Sequence, residues 1–180
     1  NLWSVGSQVN PNEYRILMAW IFLKWLSALP PRRLEYAETR LLTKAKFDAL
    51  AKKTGNYVVM GKRKWTWNLY NFKTVDKYGP AIMPVPGPLK AALNKFRPII
   101  NAKSDKGFIF LNNRFRPLSR SQFSTFVSWV FQKYANKKWT QNTIRAIKVS
   151  SVWKPNVENP LKLAEDMGHS LETALLHYKQ

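Results

Sequence analysis

Near the C-terminal edge of the sequence, Gly168-His169-Ser170 is followed by Tyr178, nine residues beyond the histidine. A histidine at an expected helix start and a tyrosine about two turns on can bring a proton-handling group and a nucleophile to one phosphate. An α-helix rises 1.5 Å per residue, which puts Tyr178 on the order of 10–13 Å beyond the helix start. Helical side chains lean back toward that end, and the helix N-terminus itself favours an anion. Leu171, Ala174 and Leu175 share a face with Tyr178, so burial in a core is the competing role for this tyrosine.

The charge such chemistry needs is available upstream. Arg145 lies in Thr140-Gln141-Asn142-Thr143-Ile144-Arg145-Ala146, early on an expected helix, and Arg32 and Arg33 precede Glu35. Two guanidinium groups clamping one phosphodiester would use their planar donor forks. Glu35, three residues after Arg32, is placed to hold that arginine from the same helix face. Lys73 closes an expected strand in Asn71-Phe72-Lys73-Thr74. A solvated surface charge is the usual fate of each of these cations, taken alone, in so basic a protein. The two histidines, His169 and His177, have no Asp/Glu cluster placed to complete a metal site, and no metal is expected.

The elements that must position these residues are set by composition and pattern. The 180 residues are enough for one sizeable domain, and the 45% hydrophobic content, with ten Phe, eight Trp and seven Tyr, is ample for a core. The absence of cysteine excludes disulfides, thiolate catalysis and cysteine-bound metals, and is compatible with a reducing compartment. Thirty Lys and Arg against ten Asp and Glu give a net charge of +20, which favours a polyanionic partner, nucleic acid above all. The cations are spread along the chain rather than gathered on one amphipathic helix, which disfavours a membrane surface. The most apolar stretch, Ile16 to Leu26, contains Lys24 and is too short to span a bilayer. No signal peptide is expected, and the start at Asn1 without methionine suggests a fragment of a longer protein.

Asn10-Pro11-Asn12-Glu13 predicts a capped helix start, with the helix running to about Ala28 and stopping before Leu29-Pro30-Pro31. A second short helix is expected from Pro31 or Arg32. Asn56–Met60, Trp65–Lys73 and Ala81–Val85 are expected strands, close enough in sequence for an antiparallel meander. Beyond Pro88, Leu89, Leu93, Phe96 and Ile100 repeat at helical spacing, as do Phe123, Phe126, Val127, Val130, Phe131 and Tyr134. Ser119 and Thr140 are expected N-caps, and short helices are expected near 160–167 and 171–179. The whole reads as a mostly helical α+β domain with one small three-stranded antiparallel sheet.

Taken in order along the chain, these segments resemble the catalytic domain of the tyrosine recombinases, the phage-integrase family. Leu29-Pro30-Pro31-Arg32-Arg33-Leu34-Glu35 resembles the first arginine box, and Phe72-Lys73-Thr74 the segment holding the catalytic lysine. Asn142-Thr143-Ile144-Arg145 is similar to the His-x-x-Arg box, and Met167-Gly168-His169-Ser170 to the Leu-Gly-His box. Tyr178 completes the set. Asn142 stands where the family usually has histidine, and it can hydrogen-bond a phosphate but not carry a proton. The residue after Arg145, often a second histidine, is Ala146. The Pro-Pro-Arg-Arg form is similar to recombinases of large eukaryotic viruses and their mobile elements.

The resemblance implies a single catalytic domain over residues 1–180, with a separate N-terminal DNA-binding domain outside it. It implies that Tyr178 attacks a phosphodiester of double-stranded DNA and leaves a covalent 3′-phosphotyrosine without ATP, metal or cofactor. Arg32, Arg145, Asn142 and His169 would stabilise transition-state charge, and Lys73 would protonate the departing 5′ oxygen, with Lys62, Lys64 and Lys77 as substitutes. It further implies four protomers on two duplexes, acting wherever the target DNA lies, with no small-molecule substrate. A type IB topoisomerase shares this chemistry, and a non-catalytic nucleic-acid-binding protein of the same fold is the competitor from another class.

Overall fold

The structure, a computed structural model, describes residues 8–152. The expected helices near 160–167 and 171–179, with His169 and Tyr178, lie outside the described residues. Helix α1 (Pro11–Ala28) begins as its sequence requires. The Asn10 Oδ1 accepts from the N–H groups of Asn12 and Glu13, both at 3.0 Å, and the Glu13 carboxylate accepts from the Asn10 N–H at 2.9 Å. This reciprocal bonding satisfies amides that a helix start leaves unpaired. The helix ends at Ala28, where Pro30 and Pro31 cannot continue it.

The segment after α1 departs from expectation. The helix expected from Pro31 or Arg32 is a run of turns instead. The Ala37 N–H bonds the Leu34 carbonyl and the Thr39 N–H the Tyr36 carbonyl, both three residues back, while the Arg32 N–H is taken by the Tyr36 hydroxyl. Helical bonding four residues back is thereby pre-empted.

The sheet also differs. It holds four strands, in the order β1-β2-β3-β4, among the described residues: β1 (Thr39–Thr43), β2 (Asn56–Met60), β3 (Trp65–Leu69) and β4 (Ala81–Pro84). The three expected strands are antiparallel neighbours, with Val58 opposite Trp67 and Trp67 opposite Met83. β1 adds a parallel partner to β2, pairing Thr39 with Asn56 and Leu41 with Val58. The sheet is therefore mixed. The crossover that parallel pairing demands carries the short helix α2 (Lys44–Asp48). β3 stops at Leu69, so Lys73 sits in a turn leading into the short helix α3 (Val75–Tyr78) rather than at a strand end.

Alternation along the strands splits the sheet into two faces. Leu41, Val58, Trp67, Leu69 and Met83 join the main core, whereas Leu42, Tyr57 and Val59 pack with Phe47 of α2. The outer edge of β1 is closed by the loop at Gly107, whose carbonyl accepts from the Leu41 N–H at 2.7 Å. Gly107 has φ +74°, and a Cβ there would lie 2.7 Å from the Leu41 carbonyl oxygen. A side chain at 107 is excluded twice over.

Helices α4 (Gly87–Lys103) and α5 (Arg120–Ala135) bury the residues their spacing predicts, with the exception of Tyr134, which is exposed. The Ser119–Gln122 capping box starts α5. The centre of the core is aromatic: the Phe22 ring of α1 meets Tyr36, Phe110 and Phe123 edge-on at 5.4–6.4 Å between centroids. Trp25, one turn on, meets Tyr36 and Trp67. Tyr36, in the turn after Arg32, thus belongs to the core as much as to the turn. Phe22→Ala should cost about 3–5 kcal/mol in chemical denaturation, because the surrounding rings come from separate elements and cannot collapse together into the gap.

Candidate active site

Arg32 follows Pro31 directly, and its whole residue is buried. Three contacts fix it. Its N–H donates to the Tyr36 hydroxyl at 2.9 Å, and its carbonyl accepts from the Gln141 side-chain amide at 2.6 Å. Its guanidinium carbon lies 4.9 Å from the centre of the Phe72 ring. The Phe72 contact puts the turn carrying Lys73 beside Arg32, while Lys73 itself is exposed.

Helix α6 (Gln141–Val152) supplies the second arginine. Its start is fixed by Thr140, whose Oγ1 accepts from the Thr143 N–H at 3.2 Å and whose carbonyl accepts from the Ile144 N–H. Thr140 is thus the N-cap that the sequence predicts. Gln141 and Arg145 stand one turn apart on the same face, and both are buried. The Gln141–Arg32 bond therefore brings Arg145 to the Arg32 turn from 113 residues away in sequence. Asn142, next to Gln141, faces outward and is exposed.

Tyr36 reports on both arginines. Burial pushes its hydroxyl well above the usual phenol range. The Arg32 N–H opposes the shift, Glu35 adds to it, and the charges of Arg32 and Arg145 oppose it. Both cations therefore lie within electrostatic reach of one phenol.

Glu35 is buried, but in a turn rather than on a shared helix face with Arg32. Its backbone carbonyl accepts from the Thr39 hydroxyl at 2.8 Å and from the Asn56 Nδ2 at 2.9 Å. Asn56 is a second tie. Its Nδ2 also donates to the Asn71 carbonyl, and its Oδ1 accepts from the Tyr70 and Asn71 N–H groups. One buried amide thereby joins the Arg32–Glu35 turn to the Asn71–Thr74 turn, which Arg120 braces from outside by donating to the Asn71 side chain at 2.7 Å.

Sequence reasoning passed over Gln141, Tyr36 and Asn56. Asn56 carried a signal, because asparagine is depleted in strand positions and its amide can satisfy stray backbone groups. Among the substitute lysines, Lys62 and Lys64 flank the tip of the β2–β3 hairpin and Lys77 lies on α3; all three are exposed. Gly61 permits the hairpin, since a Cβ there would clash with the Lys64 carbonyl oxygen.

Two buried guanidinium groups at one place offer planar, permanently charged donors, a set suited to the oxygens of a tetrahedral or pentacoordinate phosphate. Among the described residues no group of three His, Cys, Asp or Glu side chains could hold a metal ion. No described helix is long and apolar enough to cross a membrane.

No protein-family model matches the chain, and no curated protein matches it in sequence. A solved structure of XerA recombinase is similar in fold, with a TM-score of 0.58 over 96% of this chain and 14% sequence identity. The chain spans 58% of the length of that XerA chain.

Tyr36→Phe should destabilise the fold at pH 7 by about 1–3 kcal/mol, because it leaves the buried Arg32 N–H unpaired. The gap should narrow as pH rises above the ordinary tyrosine value of about 10. There the unfolded wild-type chain ionises Tyr36 while the folded chain keeps it protonated, so wild type loses stability that the phenylalanine variant never had. Denaturant titrations of both proteins at pH 7 and pH 10.5 read the difference.

Proposed function

We propose that the chain is the catalytic domain of a DNA breaking-and-rejoining enzyme, a site-specific recombinase or integrase acting through a 3′-phosphotyrosine. The observation that carries this reading is the convergence of buried Arg32 and Arg145, tied through Gln141, on a fold similar to that of a recombinase. The ordered motifs ending in His169 and Tyr178 support it from the sequence.

In this reading the Tyr178 oxygen attacks a DNA phosphorus, passing its phenolic proton to His169 as the P–O bond forms. The bond from phosphorus to the 5′ oxygen breaks, and Lys73 donates the proton that this oxygen takes. Arg32, Arg145 and His169 carry the charge growing on the non-bridging oxygens, with Asn142 orienting one of them. Rejoining runs the same steps backward, with a 5′ hydroxyl displacing the tyrosine and returning a proton to the lysine. Phe72 against Arg32 favours Lys73 as the acid over Lys62, Lys64 and Lys77. Exchange of strands between two duplexes requires two pairs of protomers, which makes a tetramer on DNA part of the proposal. A viral or mobile-element source, suggested by Pro30-Pro31-Arg32-Arg33, belongs to it as well.

The test is covalent capture. The full-length protein is incubated with a pool of nicked duplexes, in which the cleaved end diffuses away, and protein–DNA adducts are sequenced to define the site. An adduct lost in Tyr178→Phe is expected, and Arg145→Ala should slow its formation by about 10²–10³-fold. Absence of any adduct across the pool would sink the enzyme reading in favour of a DNA-binding protein. On paired sites, relaxation of supercoiled plasmid without strand exchange would indicate a topoisomerase instead.

The excess of cations generates a second expectation. The logarithm of the DNA association constant should fall linearly with the logarithm of salt concentration, at about 0.9 per phosphate neutralised. Lys73→Ala, at an exposed position, should shallow that slope by no more than about one contact while removing the acid.

A further inference from the structure

We infer that Gln141 is a positioning residue that holds the two arginines at the spacing one phosphate requires. The inference rests on the reading of Arg32 and Arg145 as a phosphate clamp. Gln141 contributes no charge and is buried, with 4% of its surface exposed, so it acts through what it holds.

Its geometry is specific. The Nε2 donates to the Arg32 carbonyl at 2.6 Å, across 109 residues of sequence. The other end of the amide, Oε1, is buried and takes no hydrogen bond. An apolar side chain at this place would avoid the penalty of burying an unmet acceptor. Half of the amide is therefore a liability to the fold, and the other half fastens the start of α6 to the Arg32 backbone.

The fastening sets the register of the clamp. Arg145 stands one helical turn after Gln141, and the Thr140 cap keeps that turn from unwinding. On the other side, the Tyr36 hydroxyl holds the Arg32 N–H. The Arg32 peptide groups are thus gripped at the N–H by the aromatic core and at the carbonyl by α6. Releasing the carbonyl frees α6 to shift relative to Arg32 without dismantling either element. A displacement of about 1 Å between reacting groups can slow a reaction by about 10²-fold.

The experiment uses full-length protein carrying Gln141→Met, which keeps the bulk and removes both amide ends. It is compared with wild type on the captured site, first as ordinary DNA and then with one neutral methylphosphonate at the scissile position. Removing one non-bridging oxygen and its charge removes the demand for two guanidiniums at a fixed separation. On ordinary DNA the variant should form adduct about 10²-fold more slowly. On methylphosphonate DNA the two proteins should approach parity, and thermal melting should be nearly unchanged because loss of the unmet Oε1 offsets the Arg32 carbonyl left without its donor. Gln141→Asn, whose amide falls one methylene short of Arg32, is run beside it and should show the same rescue.

If both variants cleave ordinary DNA at the wild-type rate, Gln141 positions nothing. If they are equally slow on both substrates, the bond is only structural, and the inference is overturned as well. In either case a wild-type adduct leaves the enzyme reading standing. If wild type itself traps nothing, the enzyme reading fails first and this inference falls with it.

Discussion

Burying two guanidinium groups is the demand to which the rest of this domain is fitted. Arg32 and Arg145 are among the largest fully buried side chains, alongside Trp25, Trp67 and Tyr36. An arginine cannot shed its charge to escape the cost of leaving water, which amounts to several kcal/mol per ion even after relaxation. The surroundings must offset that cost and must also stop the groups from relaxing outward. The Phe72 ring faces one guanidinium with its π electrons. Tyr36, wedged among Phe22, Trp25, Trp67 and Phe123, holds the backbone of the same residue. Such aromatic packing does not yield by small steps, because ring contacts are lost outright when separation grows. Rigidity of the core is thereby converted into fixed placement of charge.

The same logic explains why the two buried amides near Arg32 tie separate elements together. Asn56 meets backbone groups of two turns at once, and Gln141 of α6 meets the Arg32 carbonyl. The sheet supplies the frame, because β1 follows the Arg32–Glu35 turn directly and its parallel pairing sets Thr39 opposite Asn56. The strand that sequence patterns do not reveal is therefore the one that places the first arginine against the second tie.

What was legible in the sequence divides along physical lines. Local signals are borne out: the Asn10 capping box, the Ser119 and Thr140 N-caps and the Pro30-Pro31 stop all act over four residues or fewer. The apolar periodicity of α4 held for the same reason. β1 escaped because Thr39-Arg40-Leu41-Leu42-Thr43 is buried on both faces at its centre and so shows no alternation. The turn at Arg32 escaped because a tertiary partner, the Tyr36 hydroxyl, displaced the helical one. In the site, Arg32, Arg145 and Lys73 stood out by type and order, but His169 and Tyr178 fall outside the described residues. Tyr36, Asn56 and Gln141 have unremarkable types, and their roles exist only once distant segments meet.

Asn142 and Gln141 show how finely that division runs. The two are adjacent, chemically near-identical amides at the first turn of one helix, yet one is exposed and the other buried. The difference is a 100° step around α6, which sends Gln141 toward Arg32 and Asn142 away from the core. Neither can carry a proton, so on the proposed chemistry proton movement cannot pass through this end of α6. It falls instead to the lysine beside Phe72 and to His169, while α6 contributes a permanent charge, Arg145, and an amide that fixes where the charge stands. A helix start whose polar residues, Gln141, Asn142 and Arg145, neither gain nor lose protons keeps its electrostatic field constant across the neutral pH range. Constancy of that field is what a phosphate clamp needs if the groups around it are to exchange protons without disturbing it.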